Sequence, residues 1–245
     1  MKQTARAIVS VIVVASISML AVACSTMNSN LDRSVTPNVL SPSEKAEGWR
    51  LLFDGKTTTG WRNFGKQTIS SSWRVIDGSL VRADSAAGDI ITLDKFRNFD
   101  LQVDWKIAEG GNSGIFYRAT EGTDIIWKAA PEMQVLDDAR HENGKDPLTS
   151  AGSNYALYAA PRGVVHPAGE WNHARILVNG NHVEHWLNGQ KLFEYELGSA
   201  DWKARVAKTK FNEDPIFGTA AEGYIGLQDH GDHVEFRNIR IRVLP

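Results

Sequence analysis

Ala174-Arg175-Ile176-Leu177-Val178-Asn179-Gly180, Val183-Glu184-His185-Trp186-Leu187-Asn188-Gly189 and Leu192-Phe193-Glu194-Tyr195 are three strand-length runs joined by two Asn-Gly pairs. Asn and Gly tolerate the positive φ that a tight hairpin demands, so the three runs are predicted to form an antiparallel meander. The same period-two pattern recurs upstream, where Leu101, Val103, Trp105 and Ile107 alternate with Gln102, Asp104 and Lys106. Trp73, Val75, Leu80 and Val81 flank Asp77-Gly78, a further hairpin signal. Near the C-terminus Tyr224-Ile225-Gly226-Leu227-Gln228 turns through Asp229-His230-Gly231-Asp232 into a last run that begins at Val234 and reaches Val243. Many strands and few helices imply an all-β jelly-roll sandwich of two antiparallel sheets, one of them concave and open to a ligand. Ser41-Pro42-Ser43-Glu44 carries a Ser cap, a Pro at the first helical position and a Glu three residues after the cap, and marks one short helix ending near Gly48. Residues 203–218 read as a long loop lining the cleft.

The N-terminus has a different character. A basic start with Lys2 and Arg6, an apolar run too short for a comfortable membrane span and small residues before a cut site make residues 1–23 a secretion signal. Ala21-Val22-Ala23 precedes Cys24, the chain's one cysteine, as in the lipobox of bacterial lipoproteins, although Leu20 stands one position earlier than usual. Cys24 is therefore the expected lipidation site, and residues 24–39, rich in Ser, Asn, Thr and Pro, are the expected tether. Ser25 in place of Asp favours an outer-membrane anchor facing the periplasm. The remaining domain, residues 40–245, contains no cysteine and relies on burial rather than on disulfides. A formal net charge of -2 gives no basic footprint, which excludes nucleic acid as a partner and leaves the lipid as the only membrane contact.

Chemistry concentrates around Pro131-Glu132-Met133-Gln134-Val135-Leu136-Asp137. On a strand Met133 and Val135 face a core, while Glu132 and Gln134 stand side by side on the other face and Asp137 falls at the end. Asn112-Ser113-Gly114-Ile115-Phe116-Tyr117-Arg118 follows a glycine-rich turn, and Arg118 is expected either to pair with Glu132 or to grip a polar substrate. Tyr155 and Tyr158 are candidate platforms for a sugar ring, with a core position the competing fate. Gln228 and His230 share a face with Tyr224, so Glu132 or His230 is the candidate base. His182 and His185 point to opposite sides of their strand and cannot share an ion. His230 and His233 with Asp229 and Asp232 leave a divalent cation as an open alternative, with no cofactor demanded. No serine-hydrolase elbow, phosphate loop, paired-cysteine or dinucleotide motif is present.

Several blocks occur together in order: Gly48-Trp49-Arg50-Leu51-Leu52-Phe53-Asp54-Gly55-Lys56 with Gly60-Trp61, Asn112 to Ile115 with Tyr117-Arg118, and Glu132 to Asp137. They continue with Gly169-Glu170-Trp171-Asn172, His185-Trp186-Leu187-Asn188-Gly189 and Gln228-Asp229-His230-Gly231. From about Leu40 to the C-terminus the chain resembles the 3-keto-disaccharide hydrolase domain family. The resemblance implies a concanavalin-like jelly roll acting on a small carbohydrate already oxidised at carbon 3 by a separate sugar 3-oxidoreductase. It also implies Glu132, His230 and Asp137 as catalytic residues, and Asn112, Arg118, Gln134, Tyr155, Tyr158, His185 and Gln228 as substrate contacts. A non-catalytic, lectin-like carbohydrate-binding module on the same fold is the alternative.

Overall fold

Strand follows strand because apolar side chains alternate with polar ones from Trp49 onward, and the computed structural model pairs them into two sheets; it describes residues 1 and 36–245. The expected signal segment after Met1, Cys24 and the expected tether up to residue 35 lie outside the described residues. After helix α1 (Pro42–Ala46) come β1 (Trp49–Leu51), β2 (Trp61–Asn63), β3 (Trp73–Ile76), β4 (Ser79–Arg82), β5 (Ile90–Thr92), β6 (Phe99–Ile107), β7 (Asn112–Ala119) and β8 (Glu132–Leu136). The chain continues through β9 (Asn172–Asn179), β10 (His182–Leu187), β11 (Gln190–Glu196), helix α2 (Ala200–Val206), β12 (Tyr224–Leu227) and β13 (Val234–Val243). One sheet has the order β11-β10-β9-β6-β13-β4-β3, with β1 also on β13; the other is β2-β5-β12-β7-β8. All pairings are antiparallel. This is the concanavalin-like jelly roll.

Local chemistry explains the turns. Asp77-Gly78 and Asn188-Gly189 take positive φ at both residues, 49° and 77° in one and 51° and 83° in the other, as a two-residue hairpin requires. At Asn179-Gly180 the loop slips by one residue: Asn179 pairs with His182, and only Gly180 is left-handed. Ser41 caps α1 with the full reciprocal box to Glu44.

Between the sheets, Leu101, Val103, Trp105 and Ile107 of β6 meet Ile115 and Tyr117 of β7 and Met133 and Val135 of β8 in one continuous core. His185 sits within it, fully buried, and bridges the layers. Its Nδ1 donates to Gly152 O at 3.1 Å, so Nε2 accepts from Tyr117 Oη at 2.9 Å, which in turn accepts from Tyr195 Oη. That chain fixes residues 152–155, and these cover the edge of β8: Gln134 N donates to Ser153 O, Gly152 N to Gln134 O and Tyr155 N to Glu132 O. An otherwise open sheet edge is thereby closed next to Glu132.

Residues 203–218 depart from the expected loop. Ser199 caps α2 by accepting from Trp202 N, and Thr209 caps a 3₁₀ turn over Lys210–Glu213 by accepting from Phe211 N. Trp202 and Phe211 anchor the two pieces, each stacked on Phe217.

Candidate active site

The outward face of the five-stranded sheet is divided in two. Around Ile91, Phe116, Ala119, Ile126 and Ala130 it forms a small apolar cluster, capped by the 3₁₀ turn Ile126–Lys128. Beyond that plug opens a cavity of about 100 Å³ lined by Asn112, Trp127, Glu132, Gln134, Asn143, Tyr155, Lys210, Phe211, Gln228 and His230. Six of the residues singled out from the sequence meet here: Glu132, Gln134, Asn112, Tyr155, Gln228 and His230.

Glu132 lies at its centre. Gly114, on the neighbouring β7, has no side chain, and a Cβ built there would stand 2.1 Å from Glu132 Oε1. The missing methyl lets the carboxyl lie over the strand backbone. Among the described residues no protein group donates a hydrogen bond to this carboxyl, which is only 7% exposed. Burial, reinforced by the charge of Asp89 and opposed by that of Lys210, pushes its pKa up to about 8. Around it, Asn112 Oδ1, Gln134 Oε1 and Gln228 Oε1 are buried and accept no hydrogen bond. The Gln134 amide is oriented by its donation from Nε2 to Thr149 O at 3.2 Å. Unsatisfied buried acceptors cost a protein stability, and three in one cavity suit a ligand rich in hydroxyl donors. Trp127 and Tyr155 form an aromatic wall, with Lys210 Nζ 3.9 Å from the Trp127 ring centre. Gln228 and Asn112 are fixed by their backbones, the first through Gln228 N to Gly114 O and the second through Asn112 N to Asp232 Oδ2, both at 3.0 Å.

Four expected site residues lie elsewhere. A β-bulge sets Tyr117 and Arg118 opposite the single residue Ile225, with Arg118 at φ 51°, so the strand changes phase after Tyr117. The Arg118 guanidinium then bonds Arg97 O and Gly180 O and makes no pair with Glu132. Tyr158 is carried inward by the tight turn from Asn154 and stacks on Tyr195 at 4.5 Å, its hydroxyl donating to Asp201. His185 is the core bridge described above, and burial pushes its pKa down to about 4. Asp137 is buried and accepts from Gly110 N and Ala139 N, which pins the β6–β7 turn to the end of β8.

The Asp229–His233 segment does not gather ligands. Asp229 is held by Arg82 and Gly88 N, Asp232 by Asn112 N, and His233 lies 3.3 Å from Glu235. His182, Glu184 and Glu194 do approach one another on the other sheet, within 4.8 Å. They are already engaged by Glu196, Lys191 and Trp186 Nε1.

Trp127, Asn143 and Phe211 were not singled out from the sequence, whereas Lys210 falls in the stretch expected to line the cleft and does line it. Lys210 and Phe211 arrive through the capped turns inside the stretch read as a loop, and the signals were Ser199 and Thr209 at the two N-caps. Trp127 and Asn143 stand on short 3₁₀ turns with no hydrophobic period to mark them.

A jelly roll with a buried carboxyl, unpaired amide oxygens and an aromatic wall in its open face defines a carbohydrate-active protein of the lectin-like fold class. Residues 48–242 match the 3-keto-alpha-glucoside-1,2-lyase-like domain, and the chain belongs to that family. It is 40% identical over 230 residues to a 3-keto-disaccharide hydrolase of Bacteroides thetaiotaomicron, covering 81% of this chain and 79% of that protein. Two candidate glycosyl hydrolases of Parabacteroides distasonis have similar structures. One has a TM-score of 0.80 at 40% identity, covering 86% of this chain and all of the other; the second has 0.61 at 32%, covering 80% and 99%.

Proposed function

We propose that this protein cleaves the glycosidic bond of a 3-keto-glycoside or 3-keto-disaccharide by proton abstraction at carbon 2, elimination at carbon 1 and hydration. The observation that carries the reading is the buried Glu132 carboxyl, without a hydrogen-bond donor among the described residues and ringed by three amide oxygens that accept nothing from them. A ketone at carbon 3 acidifies the hydrogen on carbon 2, so a carboxylate suffices as base and an oxocarbenium route is unnecessary. Asn112, Gln134 and Gln228 accept from sugar hydroxyls, Trp127 and Tyr155 take an apolar ring face, and Lys210 faces the charge developing on the ketone oxygen. His230, exposed at the rim, is a further proton carrier. Oxidation of the sugar belongs to a separate 3-oxidoreductase. The leader and Cys24 support an exported, lipid-anchored protein facing the periplasm; loss of palmitate labelling in Cys24→Ser tests that address.

The activity test compares a 3-keto-disaccharide with its unoxidised parent, using wild type and Glu132→Gln, with and without chelator. Cleavage of the keto sugar alone, lost in the folded variant, is the expected result, and the chelator arm decides whether a divalent cation takes part. Binding of either sugar without product under every condition would replace this reading with the lectin-like one.

A further inference from the structure

An elimination needs two proton carriers, one to take the hydrogen from carbon 2 and one to protonate the oxygen leaving carbon 1. Strand register puts a second carboxyl beside Glu132. Ile90 pairs with Leu227, so the residue before it, Asp89, stands opposite Gln228. Gln228 N donates to Gly114 O, and Gly114 pairs with Gln134. Asp89, Gln228, Gly114 and Gln134 therefore form one cross-strand row. Ile90 belongs to the main core and Ile91 to the outward cluster, so by strand alternation Asp89 is on the outward side of the sheet, the side that carries the cavity. Glu132 starts one row away, but its carboxyl leans over Gly114 and so enters the Asp89 row. Two strand spacings, about 10 Å, separate the Asp89 and Gly114 backbones, and the Asp89 side chain shortens that gap. The charge of Asp89 is felt at Glu132.

We propose that Asp89 is the base of this site and Glu132 its acid, acting on carbon 2 and on the leaving oxygen of the same 3-keto-glycoside. The assignment rests on the 3-keto reading above. Asp89 takes the hydrogen from carbon 2, and the electron pair passes through the enolate into a new bond between carbons 1 and 2. The bond from carbon 1 to the leaving oxygen breaks, its pair goes with the oxygen, and that oxygen takes the Glu132 proton. Water then reverses the roles: ionised Glu132 removes a proton as hydroxide adds to carbon 1, and Asp89 returns its proton to carbon 2. The ketone survives, and both carboxyls regain their starting states.

The surroundings agree with this division of labour. Asp89 Oδ1 accepts from Asp229 N at 2.9 Å, and among the described residues its other oxygen has no hydrogen-bond donor. Burial raises its pKa to about 6, against the opposing hydrogen bond from Asp229 N and with help from the Asp229 charge. At neutral pH Asp89 is thus ionised while Glu132 keeps its proton. The charge acting on Asp89 is that of Asp229, itself paired with Arg82, while His230 and Lys210 line the cavity with Glu132.

The test uses the full-length chain with two 3-keto-glucosides, one releasing an alkoxide and one releasing 4-nitrophenolate, which departs without protonation. Asp89→Asn, which keeps an oxygen for Asp229 N, should slow both by about 100-fold or more and abolish solvent-deuterium exchange at carbon 2. Glu132→Gln should lose the alkoxide substrate to a similar degree and retain the nitrophenyl one within about tenfold. Wild-type kcat/KM on the alkoxide substrate should be bell-shaped, rising near pH 6 and falling near pH 8, with the rising limb gone in Asp89→Asn. Undiminished exchange in Asp89→Asn, equal loss of both substrates in Glu132→Gln, or a rising limb that persists without Asp89 overturns the assignment alone. Cleavage of neither substrate by wild type overturns the 3-keto reading and the assignment with it.

Discussion

Two polar sheet faces of this molecule are built from the same residue types and do opposite work. On the outer face of the larger sheet, the outward residues of β6 are Asp100, Gln102, Asp104 and Lys106, and each has a cross-strand partner. Asp100 takes Arg175 at 2.8 Å and Arg242 at 3.3 Å; Gln102 takes Arg240 at 2.7 Å; Asp104 takes His173 at 2.7 Å and Asn238 at 2.6 Å; Lys106 meets Glu235 at 2.9 Å. On the outward face of the smaller sheet Glu132 has no hydrogen-bond donor among the described residues, and three amide oxygens accept nothing from them. A sheet gains stability from completed pairs and gives it up where polar groups are left for a ligand. Among the described residues the carboxyl that no donor satisfies therefore marks the chemistry, and the well-paired ones mark the scaffold.

The largest expected effect breaks the unpaired side. Glu132→Gln should lower turnover of a 3-keto-disaccharide by about 100- to 10,000-fold while the protein remains folded, measured as product release beside a melting curve. A loss of activity that only follows a loss of fold would place Glu132 among the scaffold carboxyls. Gly114→Ala comes next. Its methyl would collide with the Glu132 carboxyl, whose Oε1 lies 2.1 Å from the site of the new Cβ, and would swing it off the strand. Turnover should fall by about 10- to 100-fold at a stability cost of about 1–2 kcal/mol. Asp100→Ala, on the paired face, should invert that pattern. It strands two largely buried arginines, so stability should drop by about 1–3 kcal/mol while kcat/KM stays within about twofold.

The paired face was the legible one. Alternation in β6 and the Asn-Gly and Asp-Gly turns fix the meander, the hairpin and the core, because period and turn chemistry are local properties. The same local rule placed Glu132 and Gln134 side by side, and Gln228 and His230 on one face. It failed at Arg118, since a bulge changes strand phase without leaving a mark in the pattern. Tyr158 and His185 failed for another reason: whether an aromatic or a histidine ends in a core or in a cleft depends on which sheet lies above it. Asp89 escaped notice because only the register across three strands brings it into the row of Gln228 and Gln134.

The effect that separates the two faces most sharply is carried by protons alone. In the unfolded chain Glu132 ionises near its ordinary value of 4.5, whereas in the fold it keeps its proton until about pH 8. Between those values the folded state holds one proton more than the unfolded one, so stability is lost as pH rises, by on the order of 1 kcal/mol for each pH unit. Glu132→Gln cannot titrate and should escape that loss, gaining on wild type steadily from pH 5 to pH 8. His185 contributes with the opposite sign: its pKa is lowered to about 4, so its share is lost as pH falls from 6.5. His182, whose pKa is raised by Glu196, adds a loss above 6.5. Both are common to the two proteins and cancel in the difference. Denaturant titrations at pH 5, 6.5 and 8 measure it. A difference that does not change with pH would mean that Glu132 is ionised in the fold throughout, held by a partner as Asp100 is, and the contrast between the two faces would be lost.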